Sequence, residues 1–220
     1  MKTAVTMLRA GALLAGFAAV GAGLLAGTYW LTRGPIEASA QARLLRELNA
    51  VLPPERYDNA LSKDTVRVED PRLGGAQTVY RARLGGQPAA LILTATASEG
   101  YSGPIQLLIG IDLEGRITGV RVTQHRETPG LGDKVERRKS DWVLAFDGRS
   151  LDDPGDAGWA VRKDGGIFDQ FAGATITPRA VVAAVHNALS WATEHQAQLF
   201  AETPESAPPP ARERLVEPPA

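Results

Sequence analysis

Twenty-two consecutive residues, Ala10 to Leu31, carry no charge: AGALLAGFAAVGAGLLAGTYWL. A helix of about 20 apolar residues crosses the hydrocarbon core of a bilayer, so the run predicts a transmembrane helix over 10–31. Tyr29 and Trp30 stand where interfacial aromatics sit, Lys2 and Arg9 precede the run, and Arg33 follows it. A cleaved signal peptide is the competing reading, and Ala38-Ser39-Ala40 has the small-residue pattern of a cleavage site. Its apolar region usually spans only about 7–15 residues, so the length favours a retained anchor. The flanking basic residues put residues 1–9 in the cytoplasm and the rest of the chain on the outer side.

Beyond Gly34-Pro35, Leu44, Leu45, Leu48 and Leu52 recur with a period near 3.6, predicting an amphipathic helix over 36–52 that Pro53-Pro54 stops. Five strand-like segments follow: 65–68, 77–84, 89–96, 105–112 and 117–123. Gly85-Gly86 and Glu114-Gly115 supply turn chemistry between neighbours. A helix is predicted over 134–146, with Arg137-Arg138-Lys139 as a solvated face, and a final one from Pro178 to Phe200 with Val181, Val185, Leu189 and Ala192 on one stripe. The tail 203–220 holds six prolines and few apolar residues, which predicts disorder. The fold class is thus α+β: a single N-terminal transmembrane helix, then one domain over 34–202 with an antiparallel sheet and helices packed on it.

The chain has no cysteine, which excludes disulfides, thiolate zinc sites, iron–sulfur clusters and a thiol nucleophile within it. Its three histidines, His125, His186 and His195, are too scattered to suggest a metal site. With 24 basic and 25 acidic residues there is no electrostatic footprint for nucleic acid. No G-x-G-x-x-G fingerprint is present, so the chain is not expected to oxidise a nicotinamide dinucleotide alone.

Two glycine-rich segments are candidates for chemistry. His125–Lys134, HRETPGLGDK, leaves a strand; its glycines allow close backbone approach, and Lys134 suits an anionic group. The plain structural alternative is a loop with Asp133 as an N-cap. Asp169–Pro178, DQFAGATITP, leads small residues to a helix start, with Thr177 as N-cap and Pro178 as first helical residue. A helix N-terminus favours a phosphate, although an ordinary capped helix would read the same way. No base adjoins Thr175 or Thr177, so neither is expected to act as a self-activated nucleophile.

Three motifs carry a resemblance: HRETPGLGDK, WAVRKDGG at 159–166, and FDQFAGATITPRAVVAAV at 168–185. The chain resembles the G subunit of the Rnf-type ion-translocating electron-transport complex and, more distantly, the C subunit of the sodium-pumping NADH:quinone reductase. The resemblance runs from the N-terminal anchor to the final helix and leaves out only the Pro-rich tail. It implies FMN joined through its phosphate to the threonine that follows Gly173-Ala174, which is Thr175. Asp169 matches the aspartate that begins the family's flavinylation signal; position 172 is alanine, where the family usually has serine or threonine.

The resemblance further implies a separate magnesium-dependent flavin transferase that uses FAD as donor. The other subunits of the complex are the expected partners, and the bacterial inner membrane, with the main domain in the periplasm, is the expected location. Cofactor contacts are expected from Glu127, Thr128, Gly130, Leu131, Gly132 and Lys134 and from Asp169, Gly173, Ala174, Thr175 and Thr177, with Trp142 as a ring wall or a core residue. No catalytic residue and no stand-alone catalysis are expected. The alternative function is a non-redox, membrane-anchored assembly subunit.

Overall fold

The structure, a computed structural model, describes residues 2–201. The tail 203–220, expected to be disordered, lies outside the described residues. The chain divides into two compact units, residues 1–44 and 45–220. Helix α1 (Lys2–Asn49) is continuous; residues up to Leu44 belong to the first unit and its last residues to the second. It is, among the described residues, the one helix long and apolar enough to cross a membrane, and no part of its apolar window is buried. Polar side chains in this stretch bond backward along the helix: Thr28 Oγ1 donates to Leu24 O at 2.7 Å and Thr32 Oγ1 to Thr28 O at 2.8 Å.

The expected break at Gly34-Pro35 does not occur, since Pro35 lies inside α1. An interior proline costs a helix about 3 kcal/mol, and here the helix continues on both sides of it. Gly34 has no Cβ to clash with the proline ring. Arg33 and Glu37 form an i, i+4 pair at 2.8 Å across the proline. The helix ends near the expected stop: Leu52 N still reaches Leu48 O at 3.0 Å, and Pro53-Pro54 follows.

The second unit is built on an antiparallel sheet in sequential order, β1 (Thr65–Asp70), β2 (Gly75–Leu84), β3 (Gln87–Ala97), β4 (Ile105–Asp112) and β5 (Ile117–Gln124). All five segments agree with the hydrophobic patterning. Leu84 pairs with Gln87 around a two-residue turn in which Gly85 and Gly86 have φ of 59° and 78°, the left-handed pair such a hairpin requires. Side chains alternate between faces. Leu91, Leu93, Leu107 and Ile109 join one core, against which α2 (Ile176–Ala201) lays Val181, Val185, Leu189 and Ala192, the stripe expected from sequence. Ile92 and Leu108 are buried outside that core, as are Leu48, Leu52 and Leu61 from the segment that precedes the sheet.

The C-terminal end of α2 is clamped. Fully buried Arg81 donates to Leu199 O at 2.8 Å and pairs with Asp64, which also pairs with Arg83. The cation meets carbonyls that a helix end leaves without partners.

The helix expected over 134–146 is absent; two short 3-10 turns, Gly132–Val135 and Trp142–Phe146, stand there instead. The basic run between them has no apolar face to bury. Its residues lie exposed on a turn and pair locally, Arg137 with Asp141, Arg138 with Glu136 and Lys139 with Asp133. Ser140 Oγ then accepts from Trp142 N at 3.0 Å and starts the second turn.

Candidate functional site

The turn before α2 is shaped by one glycine. Ala174 N donates to Phe171 O at 3.1 Å, which places Ala172 and Gly173 at the exposed tip. Gly173 has φ 77°, the left-handed value that the third residue of a type II turn demands and glycine tolerates. Thr175 follows, half-buried, immediately before α2, and its carbonyl accepts Arg179 N at 3.3 Å. Thr175 is therefore the residue in the N-cap position. The expectation that Thr177 caps the helix is corrected: Thr177 is fully buried in the first turn, and its hydroxyl donates to Glu127 Oε2 at 2.5 Å. A buried carboxylate acceptor drew this hydroxyl away from the capping role that its small polar side chain suggested.

The segment after β5 is folded around that carboxylate. Glu127 is 5% exposed, and its other oxygen accepts Ser102 N at 3.0 Å. Its backbone N–H donates to His125 Nδ1 at 3.0 Å, and His125 Nε2 meets Glu136 Oε1 at 2.8 Å. An acceptor at Nδ1 places the neutral ring's proton on Nε2. The hydrogen bond from His125, aided by Arg138, holds the Glu136 carboxyl below its ordinary value.

Leu131 N and Gly132 N both reach Thr128 O at 3.1 Å, and Gly130 N reaches Asp133 Oδ1 at 2.8 Å. Asp133 thus braces the loop backward rather than capping a helix. At Gly132 a Cβ would lie 2.7 Å from Glu127 Oε2 and 3.0 Å from Thr177 Oγ1, so only glycine fits without displacement. Leu131, 44% exposed, leans over the tip: a Cβ on Gly173 would sit 3.7 Å from its Cδ2.

The structure brings the two glycine-rich segments together at Glu127–Thr177 and Leu131–Gly173. Lys134 and Asp169 lie apart from that knot and line a neighbouring cleft of about 720 Å3 with Trp142, Arg162, Phe168 and Phe171. Trp142 is 9% exposed; its Nε1 donates to Asp169 O at 2.7 Å and its ring packs edge-on against Phe146 and Phe171 at 5.4 and 5.2 Å. It is thus a core residue that also presents to the cleft. Arg162 holds the Asp169 carboxylate at 2.8 Å. Arg162, Phe168 and Ser102 were not singled out from sequence as contact residues; the WAVRKDGG and FDQF motifs were the only signals that pointed to the first two. The histidines go separate ways: His125 to Glu136, His186 toward Asp156 at 3.6 Å, His195 to Trp191 O at 2.8 Å.

The cleft is of the size and mixed character of small-molecule sites. Aromatic walls suit a planar ring, and Lys134 and Arg162 suit anionic or carbonyl groups. Thr175 is not among the residues that line this cleft, but it follows the lining residue Phe171 by four positions and precedes a 26-residue helix, whose N-terminus suits a phosphate through its N–H groups and partial positive charge. Aromatic walls with cationic donors, together with a helix N-terminus, are features that would fit a flavin mononucleotide.

The chain matches the family described as FMN-binding domain over residues 100–190 and that described as RnfG N-terminal region over residues 1–51. It is 53% identical over 206 residues to the G subunit of the ion-translocating oxidoreductase complex of Pseudomonas aeruginosa strain UCBPP-PA14, covering 92% of this chain and 95% of that protein. The protein of the same description from Cronobacter sakazakii is 49% identical over 195 residues, covering 88% of this chain and 94% of its own length. Among solved structures, the C subunit of the Na(+)-translocating NADH-quinone reductase from Parabacteroides distasonis is 23% identical with a TM-score of 0.44, covering 59% of this chain and 66% of that one.

Proposed function

This chain belongs to the RnfG family, the G subunits of ion-translocating oxidoreductase complexes, and from that premise we propose that it relays electrons within such a complex through FMN esterified to Thr175. The observation that carries the reading is the placement of Thr175: a half-buried hydroxyl at the mouth of α2, between the Gly173 turn and the Glu127–Thr177 bond. When bound, the flavin supplies one- and two-electron redox chemistry.

The chain's own part is to hold and orient. The hydroxyl oxygen of Thr175 would be the attachment point, and the first N–H groups of α2 would favour the negative charge of a phosphodiester there. Trp142, Phe168 and Phe171 offer apolar surface for the ring, while Lys134 and Arg162 offer donors. We assign further contacts to the loop of Glu127, Thr128, Gly130, Leu131 and Gly132; Ala174 N closes the Gly173 turn onto Phe171 O, and Asp169 O accepts from Trp142 Nε1. No side chain among the described residues positions a base on Thr175, in keeping with attachment by a separate flavin transferase that draws on FAD. We place residues 10–31 as a single span of the bacterial inner membrane, residues 1–9 in the cytoplasm, and 34–202 in the periplasm beside the other subunits.

One observation favours a second reading, a non-redox assembly subunit. Ala172 stands exposed at the tip of the turn, where a hydroxyl residue is usual in the family. Coexpression of the full chain with a flavin transferase separates the two. Denaturing gels under ultraviolet light should show a fluorescent band that Thr175→Ala abolishes. A wild-type chain without fluorescence supports the assembly reading, and a band that persists in Thr175→Ala removes the acceptor from Thr175.

A further inference from the structure

Glu127 stands at the crossing of three segments distant in sequence. Its carboxylate accepts the Ser102 N–H from the β3–β4 loop and the Thr177 hydroxyl from the first turn of α2, while its own N–H is held by His125. It is 5% exposed, and among the described residues no cation pairs with it. A carboxylate buried this way usually has a charged partner or a metal; here two neutral donors hold it. Such an arrangement gives little Coulombic stabilisation but fixes direction sharply, because each oxygen is committed to one donor. Gly132 makes the packing tighter still, since a side chain there would push into both Glu127 and Thr177.

We propose that Glu127 is the positioning residue for flavin attachment, setting through Thr177 where the first turn of α2 presents the Thr175 hydroxyl. The inference rests on Thr175 being the acceptor. Thr177 is two residues from Thr175, so rotating or lifting the turn at one displaces the other. Ser102, tied to the same carboxylate, holds the β3–β4 loop against that turn. Glu127 does not touch the ester; it acts by holding Thr177. Reactions that depend on a placed nucleophile lose rate steeply when it shifts by about 1 Å.

The test uses the full chain in detergent, a purified flavin transferase, magnesium and FAD; the Thr175 oxygen bonds the flavin-side phosphorus as the pyrophosphate bond of FAD breaks, AMP leaves and the hydroxyl proton passes to solvent, and the initial rate of covalent flavin incorporation is followed by intact mass. Thr177→Val keeps the shape and removes the donor; it should slow incorporation about tenfold or more. Thr177→Ser restores the hydroxyl and should return the rate to within about twofold of wild type. Glu127→Ala should slow incorporation at least as much as Thr177→Val. Glu127→Gln should fall between, since its amide oxygen still accepts Ser102 N–H and its amide nitrogen can donate to the Thr177 oxygen.

Thermal unfolding of each flavin-free variant shows that the assay temperature lies below its transition. A folded Thr177→Val that incorporates flavin at the wild-type rate overturns the proposal. So does a Thr177→Ser as slow as the valine variant, because rescue by the hydroxyl is what separates positioning from bulk stability. The premise fails separately: covalent flavin on Thr175→Ala means that the acceptor lies elsewhere, whatever the Thr177 variants do.

Discussion

The hydroxyl of Thr118 donates to the backbone carbonyl of Val51 at 2.6 Å. The contact joins the chain just after α1 to β5, and two glycines make room for it. A Cβ on Gly119 would stand 2.9 Å from Val51 Cα, and one on Gly110 2.6 Å from Val51 O. Gly119→Ala should therefore lift the 50–52 segment off the sheet, at about 1–3 kcal/mol as for other overpacked sites. Denaturant unfolding of the full chain in detergent measures it; an unchanged midpoint would show that the contact is loose.

Gly132→Ala tests the knot beneath the candidate site. Its Cβ would meet Glu127 Oε2 at 2.7 Å, and Glu127 has no room to retreat without giving up Ser102 or Thr177. The expected loss is again about 1–3 kcal/mol, together with slower flavin attachment. Gly86→Ala, in the β2–β3 hairpin, is the control with a different cause: no atom stands within 4 Å of its Cβ, and the strain comes only from φ 78°. It should lower stability without slowing attachment per folded molecule.

At the far end of α2, Arg81 Nε donates to Asp64 Oδ1 at 2.6 Å while its Nη1 holds Leu199 O. Asp64→Ala strands a buried guanidinium, a class of change that costs about 3–5 kcal/mol. Arg81→Met fills the space and removes the charge, so it should cost less. A larger loss in Arg81→Met than in Asp64→Ala would mean that the helix-end contact, rather than the ion pair, carries the stability.

Acid should loosen the loop that leads to Glu127. The Glu136 carboxyl is held below its ordinary 4.5 by His125 and Arg138. A folded-state value below the unfolded one gives stability that is complete above about pH 4.5 and is lost as pH falls through the folded value. Glu136→Gln should be less stable than wild type at neutral pH and should converge with it once the pH has fallen below the folded value. Stability curves that stay parallel down to that pH would show that His125 and Arg138 do not stabilise the fold through this carboxylate.

The strands were legible as short apolar or β-branched runs separated by turn residues, as at Gly85-Gly86, and the α2 stripe because Val181, Val185 and Leu189 repeat at helical spacing. Local rules failed where packing decided. Gly34-Pro35 reads as a break, yet the helix on either side carries through it. Residues 134–146 contain helix formers, yet Trp142 is pulled toward Asp169 and the basic run stays on a turn. Thr177 reads as a cap until the partner fifty residues earlier is seen. The motifs brought both glycine-rich segments to notice, but not that Glu127 joins them or that Phe168, Phe171 and Trp142 share a cleft. Those are long-range contacts that no local pattern encodes.

Peptide mapping of the full chain coexpressed with a flavin transferase tests most directly whether Thr175 carries the flavin. Tryptic cleavage after Lys163 and Arg179 releases residues 164–179, which contain both Thr175 and Thr177. This peptide should gain the mass of FMN less one water, and fragmentation should place the gain on Thr175. A gain on Thr177, or on any other peptide with 164–179 left unmodified, would contradict the assignment.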